Sequence, residues 1–414
     1  MKVISLKKDS ERRFKSGGHP WVFSNELSGS LKGATAGESA ELRDAAGNFL
    51  ARGFLNPHSL IAFRSVTRNP EVKDPSSEEF LEKQLISGAI ALRERLGYAA
   101  TSARLCFGEA DGIPGLIVDR FQLTQSRGQI IVIQAHAAGV DRMLPILQKV
   151  LKKWAGPKSA IVIRNDVSVR KLEGIEIEAP RVELSGIEAS LNRAEFDVSG
   201  QTFRADLLEG QKTGFFLDQT WNTIQVARMA QKFFQGQKEV RVLDLFSYVS
   251  QWGSRLSTSL KQSGVKNVHV TAMDASAEAL EFAQKNLTHA GAVAEISKAD
   301  ILEKITQIPD SSYDLIVCDP PALIKSRKDH PAGKHAYLKL NTECLRILKK
   351  PGAIVSASCS AHFTPEDLIE TLAKAARRSQ VSPQWIFRGG HGPDHPVIAE
   401  FPEGQYLKTW FGVV

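Results

Sequence analysis

Two strings in the C-terminal half of the chain bring together residue types able to do covalent chemistry: YDLIVCDPPALIKSRK over 313–328 and GAIVSASCSAHF over 352–363. Each is an apolar run that stops at a polar turn, Asp319-Pro320-Pro321 in the first and Ser358-Cys359-Ser360 in the second. A carboxylate in such a turn can hold the polar edge of a substrate, and a thiol becomes a nucleophile once ionised. If both runs are parallel strands of one open sheet, both turns lie outside the carboxyl ends of the strands, where ligands collect. The competing reading of Cys359 is a core thiol, because free cysteine is among the most buried residue types. Asp319 would then be a turn former ahead of two prolines. Cys106, Cys318 and Cys344 sit in apolar surroundings and read as core.

The elements that would position these turns alternate from about Val240 onwards. VRVLDLFS reads as a buried strand followed by a helix after Ser250. VHVTAMD is a second strand. A helix opened by Ser276 follows, with Leu280, Phe282, Ala283 and Leu287 at mostly helical spacing, and then AEISKAD and YDLIVCD. A helical stretch around 335–348 is expected to end at Lys349-Lys350-Pro351-Gly352, basic residues and then breakers. Thr364-Pro365-Glu366-Asp367 supplies an N-cap, a proline at the first helical position and acids in the first turn of another helix. Strands near 385–387 and 406–414 close the chain.

A length of 414 residues predicts two or three domains, and a hydrophobic content of 42% is ample for packed cores. Residues 1–73, rich in short strand signals and glycines, read as a small β-rich module. A polar, proline-containing connector runs from Asn69-Pro70 to Ser77, and a helix carrying Leu81, Leu85, Ile90 and Leu92 follows. Strands LIVDRF, GQIIVIQAH and AIVIRND around a helix near 140–154 make 74–190 a small α/β segment, leaving 191–414 for the large alternating domain. The charged N-terminus lacks a secretory signal, and no apolar run approaches a membrane span, so a cytoplasmic protein is expected. Four cysteines without paired spacing suggest neither a disulfide framework nor a metal site. The net charge of +7 permits a polyanionic partner. Lys7, Lys8, Arg12, Arg13 and Lys15 crowd the N-terminus, and Lys325, Arg327 and Lys328 follow the acid-proline-proline turn, where they are expected to hold phosphates; a solvated loop would use the same residues.

Taken in order, these strings resemble the bacterial 23S ribosomal RNA cytosine-5 methyltransferase family, RlmI-like or RlmO-like. The resemblance runs through GGHPWVFSNEL, FGEADGIPGLIVDRF, LLEGQKTGFFLDQ, VLDLFSY, MDAS, ADI, CDPP, SCS, DHPV and PEGQYLK, nearly the whole length. It implies a PUA-like RNA-binding domain, a small α/β middle domain and a Rossmann-like class I methyltransferase domain using S-adenosylmethionine (SAM), with 23S ribosomal RNA as partner and a homodimer left open. Asp244 and Phe246 would hold the methionine end of SAM, with Ser250 in the same loop. Asp274 would accept hydrogen bonds from the ribose hydroxyls. Asp300 would lie by the adenine, Asp319 would bind the N3 and N4 edge of the cytosine beside the cofactor, and Lys212 and Thr213 would approach the cofactor. Asp274 and Asp300 have the alternative role of helix caps. The chain departs from the family in carrying Val249-Ser250-Gln251-Trp252-Gly253 where relatives place a glycine-rich loop, and Thr220-Trp221-Asn222 where they often place charges.

Cytosine C5 is a poor nucleophile, so the resemblance implies addition of the Cys359 thiolate to C6, methyl transfer to C5, loss of the C5 proton and elimination of the cysteine. The base must be unpaired or flipped for this. Methylation at a base nitrogen, which needs no cysteine, is the nearest alternative; Ala322 and Leu323 stand where amine methyltransferases often carry a stacking aromatic residue. A non-catalytic RNA-binding protein with an altered SAM loop is the other.

Overall fold

The computed structural model describes residues 1–125 and 128–414. They form two compact units. The first comprises 1–200, 206–217 and 393–404; the second comprises 201–205, 218–392 and 405–414.

The second unit is built on a seven-stranded sheet. Its strands are β1 (Glu239–Leu245), β2 (Asn267–Asp274), β3 (Val293–Lys298), β4 (Tyr313–Cys318), β5 (Leu348–Ser358), β6 (Gln384–Gly389) and β7 (Lys408–Val413). They lie in the order β3-β2-β1-β4-β5-β7-β6, with β3 through β5 parallel and β7 antiparallel to both β5 and β6. The chain reverses its direction of travel across the sheet between β1 and β4, which opens a crevice at their carboxyl ends.

Strand periodicity explains why these runs are apolar without interruption. Successive side chains point to opposite faces, and here both faces are covered. Val242, Leu315, Val317 and Val355 enter one core, together with Val226, Leu256 and Leu280 from α1 (Thr220–Phe233), α2 (Gln251–Gln262) and α3 (Ala277–His289). Their neighbours Leu243, Ile316, Cys318 and Ile354 enter the opposite core, with Leu340, Cys344 and Ala375 from α4 (His330–Ile347) and α5 (Pro365–Arg378). The caps read from sequence are present: the Ser276 side chain accepts from the Ala279 N–H, and Thr364 and Asp367 form a reciprocal capping box. One boundary differs. The helix expected to run into Lys349-Lys350-Pro351-Gly352 starts at His330, has Pro331 in its first turn and ends at Ile347, while Leu348 is already extended and opens β5. The breakers lie inside a strand rather than after a helix.

The first unit carries two sheets. Six strands between Lys2 and Thr67 enclose Ile4, Leu6, Leu42 and Phe63. Strands Ala103–Phe107, Leu116–Leu123, Gln129–Ala135, Ser159–Ile163, Arg181–Ser185 and Ala194–Val198 belong to the second, and helix Ala138–Ala155 packs Met143, Leu147 and Leu151 against it. The same core receives Leu81, Leu85 and Ile90 from a helical run between Glu78 and Tyr98. Part of that run has wide π-type turns, which rotates Leu92 off the apolar face and leaves it 38% exposed.

Candidate active site

The carboxyl ends of β1, β2, β4 and β5 deliver Asp244, Asp274, Asp319 and Cys359 in turn. Asp244 is buried. Its Oδ2 accepts from the Ser250 hydroxyl at 2.6 Å and the Gly253 N–H at 3.0 Å, while its Oδ1 is buried with no hydrogen-bond partner. Removal from water raises the acid, and the fields of Asp319 and Asp274 raise it further against the two hydrogen bonds, so its pKa is pushed up to about 7.

The loop after β1 achieves its turn without the expected glycines. Phe246, Tyr248 and Ser250 all adopt left-handed backbone conformations, with φ of 57°, 49° and 56°, each at a cost of roughly 1–2 kcal/mol for a side-chain-bearing residue. Neighbouring contacts hold them there. The Tyr248 N–H donates to Asp274 Oδ2 at 2.9 Å, the Ser250 N–H donates to the Ser247 carbonyl at 2.7 Å, and Asn286 Nδ2 donates to the Val249 carbonyl at 3.0 Å. Gly253 serves close approach rather than a turn. A Cβ there would lie 2.5 Å from Ser250 Oγ and 3.0 Å from Asp244 Oδ2, which makes glycine the residue that fits under the acid.

Asp274 is half-buried, with Oδ1 accepting from the Ser276 N–H at 2.9 Å and Oδ2 from Tyr248; each oxygen retains capacity for a further donor. Asp300 is exposed and caps the short helix Ile301–Lys304 through the Leu302 N–H at 2.9 Å, the alternative role its sequence position allowed. Phe246, two residues after Asp244, is half-buried and packs against the same core as Leu243. Lys212 and Thr213 belong to the first unit, where the buried Thr213 hydroxyl donates to Asp119 Oδ2 at 2.6 Å and the Lys212 ammonium lies 4.3 Å from the Phe216 ring centre.

Asp319 is oriented by groups that the linear pattern did not connect to it. Gln219 Nε2 donates to its Oδ2 at 2.8 Å and the Trp252 indole N–H at 3.0 Å. Gln219 is itself held by Asn222 Nδ2 at 2.7 Å, and Asn222 also donates to Thr409 Oγ1 at 3.1 Å. The two departures noted in the sequence, Trp252 and Asn222, are therefore parts of one scaffold around the carboxylate.

Cys359 is half-exposed between the fully buried Ser358 and Ser360, whereas Cys106, Cys318 and Cys344 are buried. The Tyr337 hydroxyl from α4 meets Ser358 Oγ at 2.8 Å and Ser360 Oγ at 3.0 Å, and Ser360 Oγ accepts from the Ile324 N–H at 3.2 Å. The Tyr337 ring stacks on Phe363 with centroids 4.5 Å apart. These contacts fasten the cysteine turn to the loop that follows Asp319. Lys325, Arg327 and Lys328 lie on that loop, exposed, and none makes an ion pair with a described residue. Among the described residues there is no His/Cys/Asp/Glu cluster suited to a metal and no helix long and apolar enough to cross a membrane.

The strand order, covered on both faces and carrying acids and a cysteine at its carboxyl ends, is that of a Rossmann-like methyltransferase. Residues 237–406 match a methyltransferase domain family, and residues 4–68 match a PUA-like domain family. A putative SAM-dependent methyltransferase from Streptococcus mutans shares the fold, with a TM-score of 0.75 over 100% of both chains at 16% identity. The ribosomal RNA large subunit methyltransferase I of Klebsiella pneumoniae is 32% identical over 94% of this chain and 93% of that protein, and its Escherichia coli counterpart 31% identical over 94% of each. The chain belongs to the ribosomal RNA large subunit methyltransferase I family.

Proposed function

We propose that the protein methylates C5 of a cytosine in 23S ribosomal RNA in the cytoplasm, with SAM as methyl donor and Cys359 as covalent nucleophile. The chain is a SAM-dependent methyltransferase of ribosomal RNA; the carbon target and the covalent step are the proposed part. The observation that supports them is the setting of Cys359. It alone among the four cysteines is partly accessible, and it stands at the end of β5, next to the strand that presents Asp319.

The residues fit the donor. Asp244 places a buried carboxylate with a partnerless oxygen below the β1 loop, suited to the cationic methionine end. Asp274 has acceptor capacity for ribose hydroxyls, Asp300 stands at the end of the third strand for the adenine, and Phe246 and Ser250 shape the loop between them. When bound, SAM supplies an electrophilic methyl group on sulfur. Cys359 Sγ adds to C6, and the electron pair released at C5 takes that methyl. A base then removes the C5 proton, and the C6–S bond breaks to restore the thiolate. Asp319, fixed by Gln219 and Trp252, orients the N3 and N4 edge. The PUA-like module and Lys325, Arg327 and Lys328 hold the RNA backbone, and the domain boundaries are placed after residues 73 and 190.

An RNA carrying 5-fluorocytosine at the target tests the mechanism, because fluorine does not leave as a cation and the adduct persists. The wild type is expected to become covalently linked, and Cys359→Ala to form no adduct and lose methyl transfer while still binding SAM. Full activity in Cys359→Ala would move the target to a base nitrogen.

A further inference from the structure

Lys408 is a buried ammonium without a carboxylate. It is 6% exposed, and no Asp or Glu among the described residues lies within ion-pair distance. Such a charge is costly to bury unless something answers it. Its one hydrogen bond goes from Nζ to the Ser360 carbonyl at 2.7 Å, and its backbone is in register with Ser358 across the β5–β7 pair. Lys408 thus grips the cysteine turn from both flanks. It comes from PEGQYLK, a string that the proposed reaction leaves unused.

We infer that the Lys408 ammonium is the counter-charge that keeps Cys359 ionised, a positioning residue for the nucleophile. The inference rests on the reading of Cys359 as nucleophile. An anion forming at Sγ is the group whose charge Lys408 can answer, and the same burial that makes the ammonium costly strengthens its field on the thiolate. Burial lowers the lysine to about 8, and the charges of Cys359 and then of Asp367 oppose that fall. The other titratable groups around the turn are already occupied or neutral. Tyr337 from α4 is pushed up to about 12 by burial and is uncharged at neutral pH. Asp367, in the first turn of α5, pairs with His330 at 3.1 Å and Lys334 at 2.8 Å. Asp319 at the end of β4 accepts from Gln219 and Trp252.

The sign of the effect is fixed. A nearby ammonium favours the thiolate and lowers the thiol pKa, so the benefit is largest at pH values below an ordinary cysteine's pKa of about 8.5 and vanishes above it. The test is alkylation of Cys359 by iodoacetamide in the full-length protein across pH 5.5–10 (roughly the range that brackets an ordinary thiol), followed by mass spectrometry of its peptide. The wild type is expected to show a midpoint clearly below about 8.5, Lys408→Met a midpoint at least about one pH unit higher, and Lys408→Arg a midpoint near wild type. One unit is about tenfold in thiolate at low pH. Single-turnover methylation by Lys408→Met should therefore be about tenfold slow near pH 6.5 and catch up near pH 9. A wild-type midpoint at or above about 8.5, or superimposable wild-type and Lys408→Met profiles, overturns the assignment. The wild-type and Arg profiles decide the matter if Lys408→Met does not fold. The alkylation assay needs neither RNA nor turnover. A shifted profile with an active Cys359→Ala keeps the ion pair and removes the nucleophile; an unmoved profile with an inactive Cys359→Ala does the reverse.

Discussion

Buried charges are handled differently in the two units. In the first, several buried guanidinium groups meet carboxylates directly, although Arg120 is buried with only the Tyr98 and Thr101 carbonyls as acceptors. Arg93 makes two hydrogen bonds to Asp111 at 2.5 and 2.7 Å, Arg104 two to Asp119 at 2.8 and 2.9 Å, and Arg64 bridges Glu109 and Glu173. Glu109 also accepts from the Trp21 indole at 2.7 Å, so the strings GGHPWVF and FGEADG are tied to each other. In the second unit Asp244 keeps a partnerless oxygen and Lys408 has no carboxylate, and burial moves both toward their neutral forms. Paired charges fix architecture, and unpaired ones remain available to a cation or an anion that arrives later.

The sharpest way to break this contrast is to unpair a charge in the first unit. Asp111→Ala should lower unfolding free energy by about 3–5 kcal/mol, because it strands the fully buried Arg93, and should leave the SAM dissociation constant unchanged. Urea denaturation and calorimetric titration measure the two. A drop below 1 kcal/mol (roughly the scale of an exposed pair) would place Arg93–Asp111 among surface-like interactions.

Neutralising an unpaired charge should do the opposite. Asp244 has a folded-state pKa raised above its unfolded value of 3.8. Its contribution to stability is therefore fully present below 3.8 and lost as pH rises through about 7. Without SAM, Asp244→Asn should be more stable than wild type by about 2–4 kcal/mol at pH 8, with little difference near pH 4. Denaturation midpoints that fall in parallel with pH would refute the raised acid. SAM, being cationic at its methionine end, should bind wild type more tightly as pH rises through the same window.

Asp274 sharpens the comparison at smaller magnitude. On the proposed ribose contacts, Asp274→Ala should weaken SAM at least tenfold by calorimetry, about 1.4 kcal/mol or more. Unchanged affinity would leave Asp274 as a cap for the Tyr248 and Ser276 N–H groups alone. The smallest effect is expected for replacing Lys325, Arg327 and Lys328 with Ala. The slope of log affinity for a ribosomal RNA fragment against log salt should become shallower by about 0.7 for each phosphate that is no longer neutralised, with SAM affinity intact. An unaltered slope would make these residues a solvated loop.

What could be read from the chain follows from how local each signal is. Strand runs, the Ser276 and Thr364 caps, and the strand-end positions of Asp244, Asp274, Asp319 and Cys359 depend on neighbours within a few residues, so periodicity and turn chemistry display them. The extent of α4 was less legible, because Lys349-Lys350-Pro351-Gly352 is as favourable after a helix as in the irregular opening of β5. Trp252 stood out only as a missing glycine. Its indole lies 67 residues from Asp319 in the chain, and no local rule pairs them.

The sequence by itself determined the element order, the acids and thiol at strand ends, and through its ordered motifs the family. Tertiary structure alone decided which polar groups are satisfied. Gln219 reaches Asp319 across 100 residues, and Lys408 reaches the Ser360 carbonyl across 48. The β5–β7 register brings Lys408 to the cysteine turn, and packing around β1 leaves Asp244 dry. The physical reason is that burial and charge pairing depend on what the whole fold removes from water, a property no short stretch of chain possesses.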